Sequence, residues 1–153
     1  MDESFKPVVL IGREHGDHVL IRVLGRMHPE ARDYWDGNWL VAPVQVVAGG
    51  FSGSVRSGLR SEELAAFRSQ LAEMHRSLSG SAKLVSMEDW LELVVEIDSR
   101  GHLKVQGRAC DEPGIGNSLT FTIGDLDQSD LPAIIDGLED VAFSFPVAGS
   151  PDD

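Results

Sequence analysis

Apolar and polar residues alternate along much of the chain, which is the pattern of β-strands with one buried face. In segment 18–27, for example, Val19, Ile21 and Val23 share one face. The alternation predicts seven strands, at residues 7–11, 18–27, 39–48, 51–59, 90–98, 102–110 and 117–123. Turns separate the first four of these segments, except that a polar loop over residues 28–37 joins the second to the third, and we expect the four to form an antiparallel meander.

Two other segments have apolar residues at the spacing of an amphipathic helix. The first, 61–78, begins at Ser61, a favourable N-cap residue. The second, 129–145, begins at Ser129 and has Pro132 in its first turn, where proline is tolerated. No β–α–β rhythm occurs. We therefore predict an α+β fold, an antiparallel meander sheet of about six or seven strands with two helices packed on one face.

The length and composition indicate one domain. The chain has 153 residues, of which 42% are hydrophobic and 25% charged, as in ordinary globular proteins. We assign residues 1–147 to a single domain and 148–153 to a flexible acidic tail. No apolar run is long enough to span a bilayer, the acidic N-terminus does not resemble a signal peptide, and Cys110 is the only cysteine. These features predict a cytoplasmic protein.

Negative charge is concentrated in the last third of the chain. The net charge is −12, and residues 109–153 contain ten acids and no Lys or Arg. The first 108 residues carry the other 15 acids and all 13 bases, a net of −2. Such a field repels nucleic acid and anionic membranes and attracts basic proteins. Solubility is the alternative explanation of this charge.

The second predicted helix places acids on one face. Asp136, Glu139 and Asp140 are three and four residues apart, and no Lys or Arg on this helix offsets their repulsion of about 0.2–0.5 kcal/mol per pair. We predict that these residues bind a basic partner together with three acids that precede the helix, Asp125, Asp127 and Asp130. A merely solvated face is the other interpretation.

An aromatic cluster is the second candidate contact. Segment 34–39 contains Tyr34, the only tyrosine of the chain, and two of the three tryptophans, Trp35 and Trp39. Exposed Tyr and Trp side chains are frequent anchors in protein interfaces, so we predict that Tyr34 and Trp35 contact a partner. Alternatively, Trp35 or Trp39 closes one end of the core.

The sequence does not match the catalytic and metal-binding patterns that we tested. Segment 50–54 lacks the second glycine of a hydrolase nucleophile elbow, and segment 114–119 lacks the third glycine of a dinucleotide-binding loop. His15 and His18 are too few for a zinc site and belong to a turn. Cys110 has no histidine near it in sequence. We therefore predict no catalytic residue, metal or cofactor.

Three segments, 34–40, 48–53 and 111–117, resemble landmarks of the WapI-type immunity proteins and their uncharacterised bacterial relatives. The resemblance extends over residues 34–147, and the two predicted helices fall in the matching order. Each landmark lies at a turn, where glycine and asparagine are needed for backbone reasons. The landmarks therefore imply a shared fold. Pro43, inside a predicted strand, departs from the family pattern, and because it has no N–H donor we expect it on a sheet edge or at a bulge.

The resemblance implies that the protein neutralises a contact-dependent toxin whose C-terminal domain is a nuclease. An immunity protein blocks its toxin by binding and needs no active site, and an acidic inhibitor complements the basic surface of a nuclease. No family motif specifies the contact, so the resemblance assigns no binding residue. Two alternatives stay open, a small enzyme or ligand-binding domain with a site assembled from distant residues, and a regulatory subunit of a bacterial assembly.

Overall fold

The computed structural model describes residues 6–152 and has an α+β fold in which all strand pairings are antiparallel. Its strands are β1 (Val8–Gly12), β2 (His18–Arg22), β3 (Gly25–Arg26), β4 (Trp39–Val41), β5 (Val44–Ala48), β6 (Phe51–Val55), β7 (Gly58–Arg60), β8 (Ser81–Val85), β9 (Leu91–Ile97), β10 (His102–Cys110) and β11 (Ser118–Asp127). Three α-helices accompany them, α1 (Tyr34–Gly37), α2 (Ser61–Ser77) and α3 (Leu131–Ser144).

The strands form three sheets. Two have four strands each, in the orders β1-β2-β5-β6 and β11-β10-β9-β8, and the third has the order β3-β4-β7. Helix α2 packs against α3 and β8, and α3 packs against β1. Apolar residues from the sheets and from both long helices form one core. The predicted α+β class with antiparallel strands and two long helices is confirmed.

Three of the predicted strands are each interrupted in the middle. The predicted strand 39–48 is divided into β4 and β5 at Pro43, whose carbonyl accepts from the Arg22 amide (3.1 Å) but which has no N–H to donate. Where an edge or a bulge was expected at Pro43, the structure has a break between two strands. Strands 18–27 and 51–59 are interrupted at the same level, so each supplies a segment to two sheets.

Two short elements escaped the sequence prediction. Strand β8 buries only Ala82 and Leu84, an alternation too short to stand out between α2 and β9. Helix α1 lies within a segment expected to be a polar loop, and the Asp33 carboxylate caps it by accepting from the Asp36 amide (3.1 Å).

The predicted helix caps are wrong by one or two residues. The N-cap of α2 is Arg60, whose amide donates to the Glu63 carboxylate (2.9 Å), while Ser61 is the first helical residue and is buried. Ser129 belongs to a 3-10 turn, Gln128–Asp130, that precedes α3 and is capped by Asp127. A carboxylate reaches a free amide at each start, and the serine nearby is not required as a cap.

Helix α3 approaches β1 very closely at Gly137. A Cβ atom on Gly137 would lie 2.7 Å from the Val8 carbonyl oxygen. A glycine in the middle of a helix costs stability, but here it lets the helix backbone rest on the outer edge of β1. The first and last long elements of the described chain are therefore in direct contact.

Ala148, in the predicted tail, is hydrogen-bonded to the domain. The Asn38 side chain accepts from the Ala148 amide (2.8 Å) and donates to the Ala148 carbonyl (3.0 Å). The division between residues 147 and 148 stays a prediction. Segment 1–5 and Asp153, which belong to the predicted domain and tail, lie outside the described residues. No helix in the described part is long and apolar enough to cross a membrane.

Candidate partner-binding surface

The acidic face of α3 is exposed as the spacing predicts. The helix buries Leu131, Ile134, Ile135, Leu138 and Val141 against the core. On its opposite side Asp136, Glu139 and Asp140 are exposed, and their carboxylates have no ion pair or side-chain hydrogen bond within residues 6–152. These three acids and the C-terminal pole of the helix dipole place negative charge together, which is mildly unfavourable in the free protein.

Phe143 extends this acidic face. It follows Asp136, Glu139 and Asp140 by seven, four and three residues, so it lies on the same side of α3. Its side chain is 90% exposed. The sequence analysis missed it, although the helical spacing that groups the acids also includes Phe143. We call Asp136, Glu139, Asp140 and Phe143 the α3 face.

The three acids before α3 have different roles. Asp130 accepts from the Arg13 guanidinium (2.7 Å) and from the Asp127 amide (2.9 Å), and the bond from Arg13 lowers the pKa of Asp130. Asp127 accepts from the amide and hydroxyl of Ser129, which lowers the pKa of Asp127. The carbonyl of Asp125 accepts a second bond from Arg13 (3.0 Å). Arg13 thus partly neutralises this end of the acidic region.

The aromatic segment encloses a buried arginine. Arg60 has no exposed surface, and its guanidinium lies 4.8 Å from the ring centroid of Trp39, 5.3 Å from that of Tyr34 and 5.7 Å from that of Trp35. The guanidinium also donates to the carbonyls of Tyr34 (2.7 Å) and Trp35 (2.8 Å) and pairs with Glu62. These contacts compensate for the loss of water around the charge.

The same contacts show how far Tyr34 and Trp35 remain accessible. Tyr34 is half-buried and meets Trp35 edge to face, with ring centroids 5.0 Å apart. Trp35 keeps 50% of its surface exposed. The two residues therefore stabilise the fold around Arg60, and a contact with a partner stays a prediction. Within residues 6–152 no hydrogen bond, ion pair or ring contact joins this cluster to the α3 face.

The glycine-rich loop after β10 is held by one carboxylate. Asp111 accepts from the amide (2.7 Å) and the side-chain amide (3.2 Å) of Asn117, and these bonds lower the pKa of Asp111. A Cβ atom on Gly116 would lie 2.2 Å from the Asp111 carboxylate, so the loop requires glycine there. Segment 111–117, one of the three landmarks of the sequence, therefore has a structural role.

Two of the residues considered for catalysis or metal binding, His18 and Cys110, have structural partners. His18 is buried, and its Nδ1 lies 2.9 Å from the carbonyl oxygens of both Arg13 and Gly16. Cys110 is buried, and its Sγ accepts from Arg108 (3.1 Å). Within residues 6–152 no three His, Cys, Asp or Glu side chains are grouped so that they could hold a metal ion.

Comparison with known proteins identifies the family of this chain. A family model described as the immunity protein WapI-like family matches residues 10–146. No curated protein matches the chain. The match begins within β1 and covers the other ten strands, α2 and α3, and it contains all three landmark segments. The chain therefore belongs to the WapI-like family of immunity proteins.

Proposed function

We propose that this protein binds a cognate contact-dependent toxin in the cytoplasm and neutralises it by covering the toxin's active site. Membership in an immunity family implies a toxin as the protein partner and a role without catalysis. We further propose that the toxin is a nuclease with a basic substrate-binding surface. The observation that carries this proposal is the α3 face, with three exposed and unpaired carboxylates beside an exposed phenylalanine.

Charge supports a basic partner. A nuclease must hold an anionic phosphodiester backbone, so its substrate groove is lined with Lys and Arg. A protein with a net charge of −12 attracts such a groove over a distance near the Debye length, about 8 Å at physiological ionic strength. The unpaired acids of α3 would gain partners on binding, whereas Asp130 already has Arg13. We therefore expect Asp136, Glu139 and Asp140 to contribute most to the attraction.

Phe143 adds an apolar contact to the acidic α3 face. Charge complementarity mainly accelerates encounter, whereas a buried aromatic side chain contributes to the lifetime of a complex. A phenylalanine that is 90% exposed is costly to hydrate in the free protein and gains most from being covered. The pairing of acids with one apolar anchor is typical of a surface that binds protein.

The decisive experiment uses the C-terminal domain of the cognate toxin. We expect the two purified proteins to form a stable complex, and RNA or DNA cleavage by the toxin domain to fall to zero at one equivalent of this protein. A complex that still cleaves its substrate at the uninhibited rate would contradict occlusion. The absence of any complex would contradict the function itself.

A further inference from the structure

The outer edges of the sheets are protected in different ways. Helix α3 covers β1 where Gly137 meets the Val8 carbonyl. At the edge of β8, the Gln70 side chain accepts from the Lys83 amide (2.9 Å) and donates to the Lys83 carbonyl (3.4 Å). The first arrangement covers the edge of β1 with a helix, and the second satisfies backbone groups of β8 that would otherwise be free to pair with another strand.

The remaining edges, except one, are short or irregular. Strand β11 carries an extra residue opposite the step from Leu103 to Val105, and Asp125 there has a positive φ of 60°. Such a bulge disfavours pairing with a further strand. Strands β3 and β7 have two and three residues. Strand β6 is the exception, because Phe51–Val55 has five regular residues with no charge, proline or bulge.

The hairpin geometry identifies the free groups of β6. A two-residue loop, Gly49-Gly50, makes Ala48 and Phe51 a directly hydrogen-bonded pair. Hydrogen-bonded pairs alternate with non-bonded pairs along an antiparallel ladder. The bond from the Ala42 amide to the Ser57 carbonyl (3.0 Å) fits this alternation, because Ser57 is an even number of residues from Phe51. The N–H and C=O groups of Ser52 and Ser54 therefore point away from β5. Within residues 6–152 no other strand pairs with them.

The inner face of β6 is also incompletely covered. Side chains alternate, so Phe51 and Gly53 face the same side as the buried Val55. Phe51 is nevertheless 69% exposed, and a Cβ atom on Gly53 would have no neighbour within 4 Å. The space beside them is a cleft of about 200 Å³, lined by Val46, Phe51, Gly53, Val55, Ala109 and Leu119 among others.

We propose that β6 is the docking strand for an extended segment of the toxin, which pairs with Ser52 and Ser54 as a fifth strand of the sheet. One apolar side chain of that segment enters the cleft above Gly53. The proposal rests on the function proposed above and names a second contact of the same partner. Strand addition supplies affinity through main-chain bonds and specificity through alternate side chains.

Charge favours a basic segment over a second copy of this chain. Asp111 lines the cleft, and Asp17 lies at the hairpin end of β6, where its carboxylate accepts from the Gly49 amide (3.0 Å). The basic residue nearest to β6 in the sequence is Arg56, which directly follows its last residue. Two chains of net charge −12 repel each other, whereas a segment with Lys or Arg beside its apolar residue meets Asp17 and Asp111 favourably.

The two proposed contacts lie at opposite edges of one sheet. Strands β1 and β6 are the two edge strands of a four-stranded sheet, about 14 Å apart, which is three inter-strand spacings. Helix α3 packs on β1. A toxin that contacts both the α3 face and β6 must therefore extend across this sheet. The α3 face then governs the association rate, and β6 governs the dissociation rate.

The test combines amide hydrogen exchange with variants of β6 and uses the toxin domain as the probe. We expect the amides of Ser52 and Ser54 to exchange rapidly in the free protein and to be protected in the complex. Ser54→Pro removes an outward N–H but no bond to β5, so it should raise the dissociation rate at least tenfold, while Ser54→Ala should not. Gly53→Leu should fill the cleft and raise the dissociation rate similarly, while Gly53→Ala has a small effect.

The outcomes separate the two proposals. If the toxin domain binds and is inhibited but the Ser52 and Ser54 amides stay unprotected, β6 is not the docking strand and the proposed function stands. If the toxin domain does not bind the wild-type protein, both proposals are wrong. Protection in the free protein that grows with its own concentration would show that a second copy occupies β6. If Ser54→Pro unfolds at a lower urea concentration than wild type, the dissociation rate of Gly53→Leu becomes the test of docking at β6.

Discussion

The guanidinium of Arg60 lies 4.8 Å from the ring centroid of Trp39 and is fully buried at the start of α2. A buried charge is tolerated only where its hydrogen bonds are satisfied, and the carbonyls of Tyr34 and Trp35 satisfy two of them. The segment that most resembles a partner-binding loop in the sequence thus has a structural task, to hold the end of one long helix.

We expect Arg60→Lys to destabilise the protein by roughly 2 kcal/mol. Lysine keeps the charge but cannot reach the two carbonyls with a planar fork, so one or both lose a donor. Urea unfolding followed by tryptophan fluorescence measures the effect. Arg32→Lys, at an exposed position in the same region, is the control and should change the free energy of unfolding by less than about 0.5 kcal/mol. Equal stability of the two variants would contradict the role assigned to Arg60.

The Glu63 carboxylate makes stability depend on pH. Burial raises the pKa of Glu63 to about 6, against the opposing effect of its bonds from the amides of Arg60 and Met87. A carboxyl whose pKa is raised by folding stabilises the fold below its unfolded value, about 4.5, and loses that contribution as the pH rises through 6. Since Glu63 is partly exposed, we expect a loss of about 1 kcal/mol.

Glu63→Gln isolates this contribution, because glutamine does not titrate. The stability of wild type relative to Glu63→Gln should fall by about 1 kcal/mol between pH 4.5 and pH 7. Urea unfolding of both proteins across that range measures it. Parallel stability curves would mean that the carboxylate of Glu63 keeps an ordinary pKa in the folded protein.

Charge reversal on α3 tests long-range attraction. We expect Asp136→Lys/Glu139→Lys/Asp140→Lys to fold normally and to lower the association rate with the toxin domain about tenfold at low salt, with a weaker dependence on salt. The matched control, Glu30→Lys/Glu88→Lys/Glu96→Lys, changes the net charge equally, from −12 to −6, at exposed positions of other elements. An equal decrease of the association rate in both variants would show that net charge matters and that the α3 face does not.

Gly137→Ala should destabilise the protein although alanine favours helices. Helix propensity alone predicts a gain of about 1 kcal/mol, but the new methyl group would lie 2.7 Å from the Val8 carbonyl oxygen and force α3 away from β1. We expect a net loss of about 1–3 kcal/mol in urea unfolding. Gly25→Ala, where a Cβ atom has no neighbour within 4 Å, is the control with little effect. A stabilised Gly137→Ala would contradict the close approach.

Local patterns predicted the elements whose apolar spacing is regular over many residues. Helix α2 has a long run of correctly spaced apolar residues, and strands β9 and β10 alternate over seven and nine positions. The interruptions that divide three strands depend on hydrogen bonds between neighbours in space, so Pro43 alone indicated one of them. Strand β8 was missed because its pattern is short.

The candidate surface was predictable only where it depends on spacing within one helix. Helical spacing alone places Asp136, Glu139 and Asp140 on an exposed face. The partner of Asp130 could not be foreseen, since Arg13 is 117 residues away in the sequence. The contact between them requires the sheet to place the end of β1 beside the start of α3. An acidic count along the chain therefore overestimates the free negative charge at that end.

The contact between β1 and α3 has a consequence for synthesis on the ribosome. At about 5–20 residues per second, α3 is translated roughly 10 seconds after β1. During that interval the outer edge of β1 has no cover, and the core lacks Leu131, Ile134, Ile135, Leu138 and Val141. Folding therefore completes only after α3 leaves the exit tunnel. Nascent chains are exposed to chaperones and proteases until then, and a truncation before α3 should yield insoluble or degraded protein.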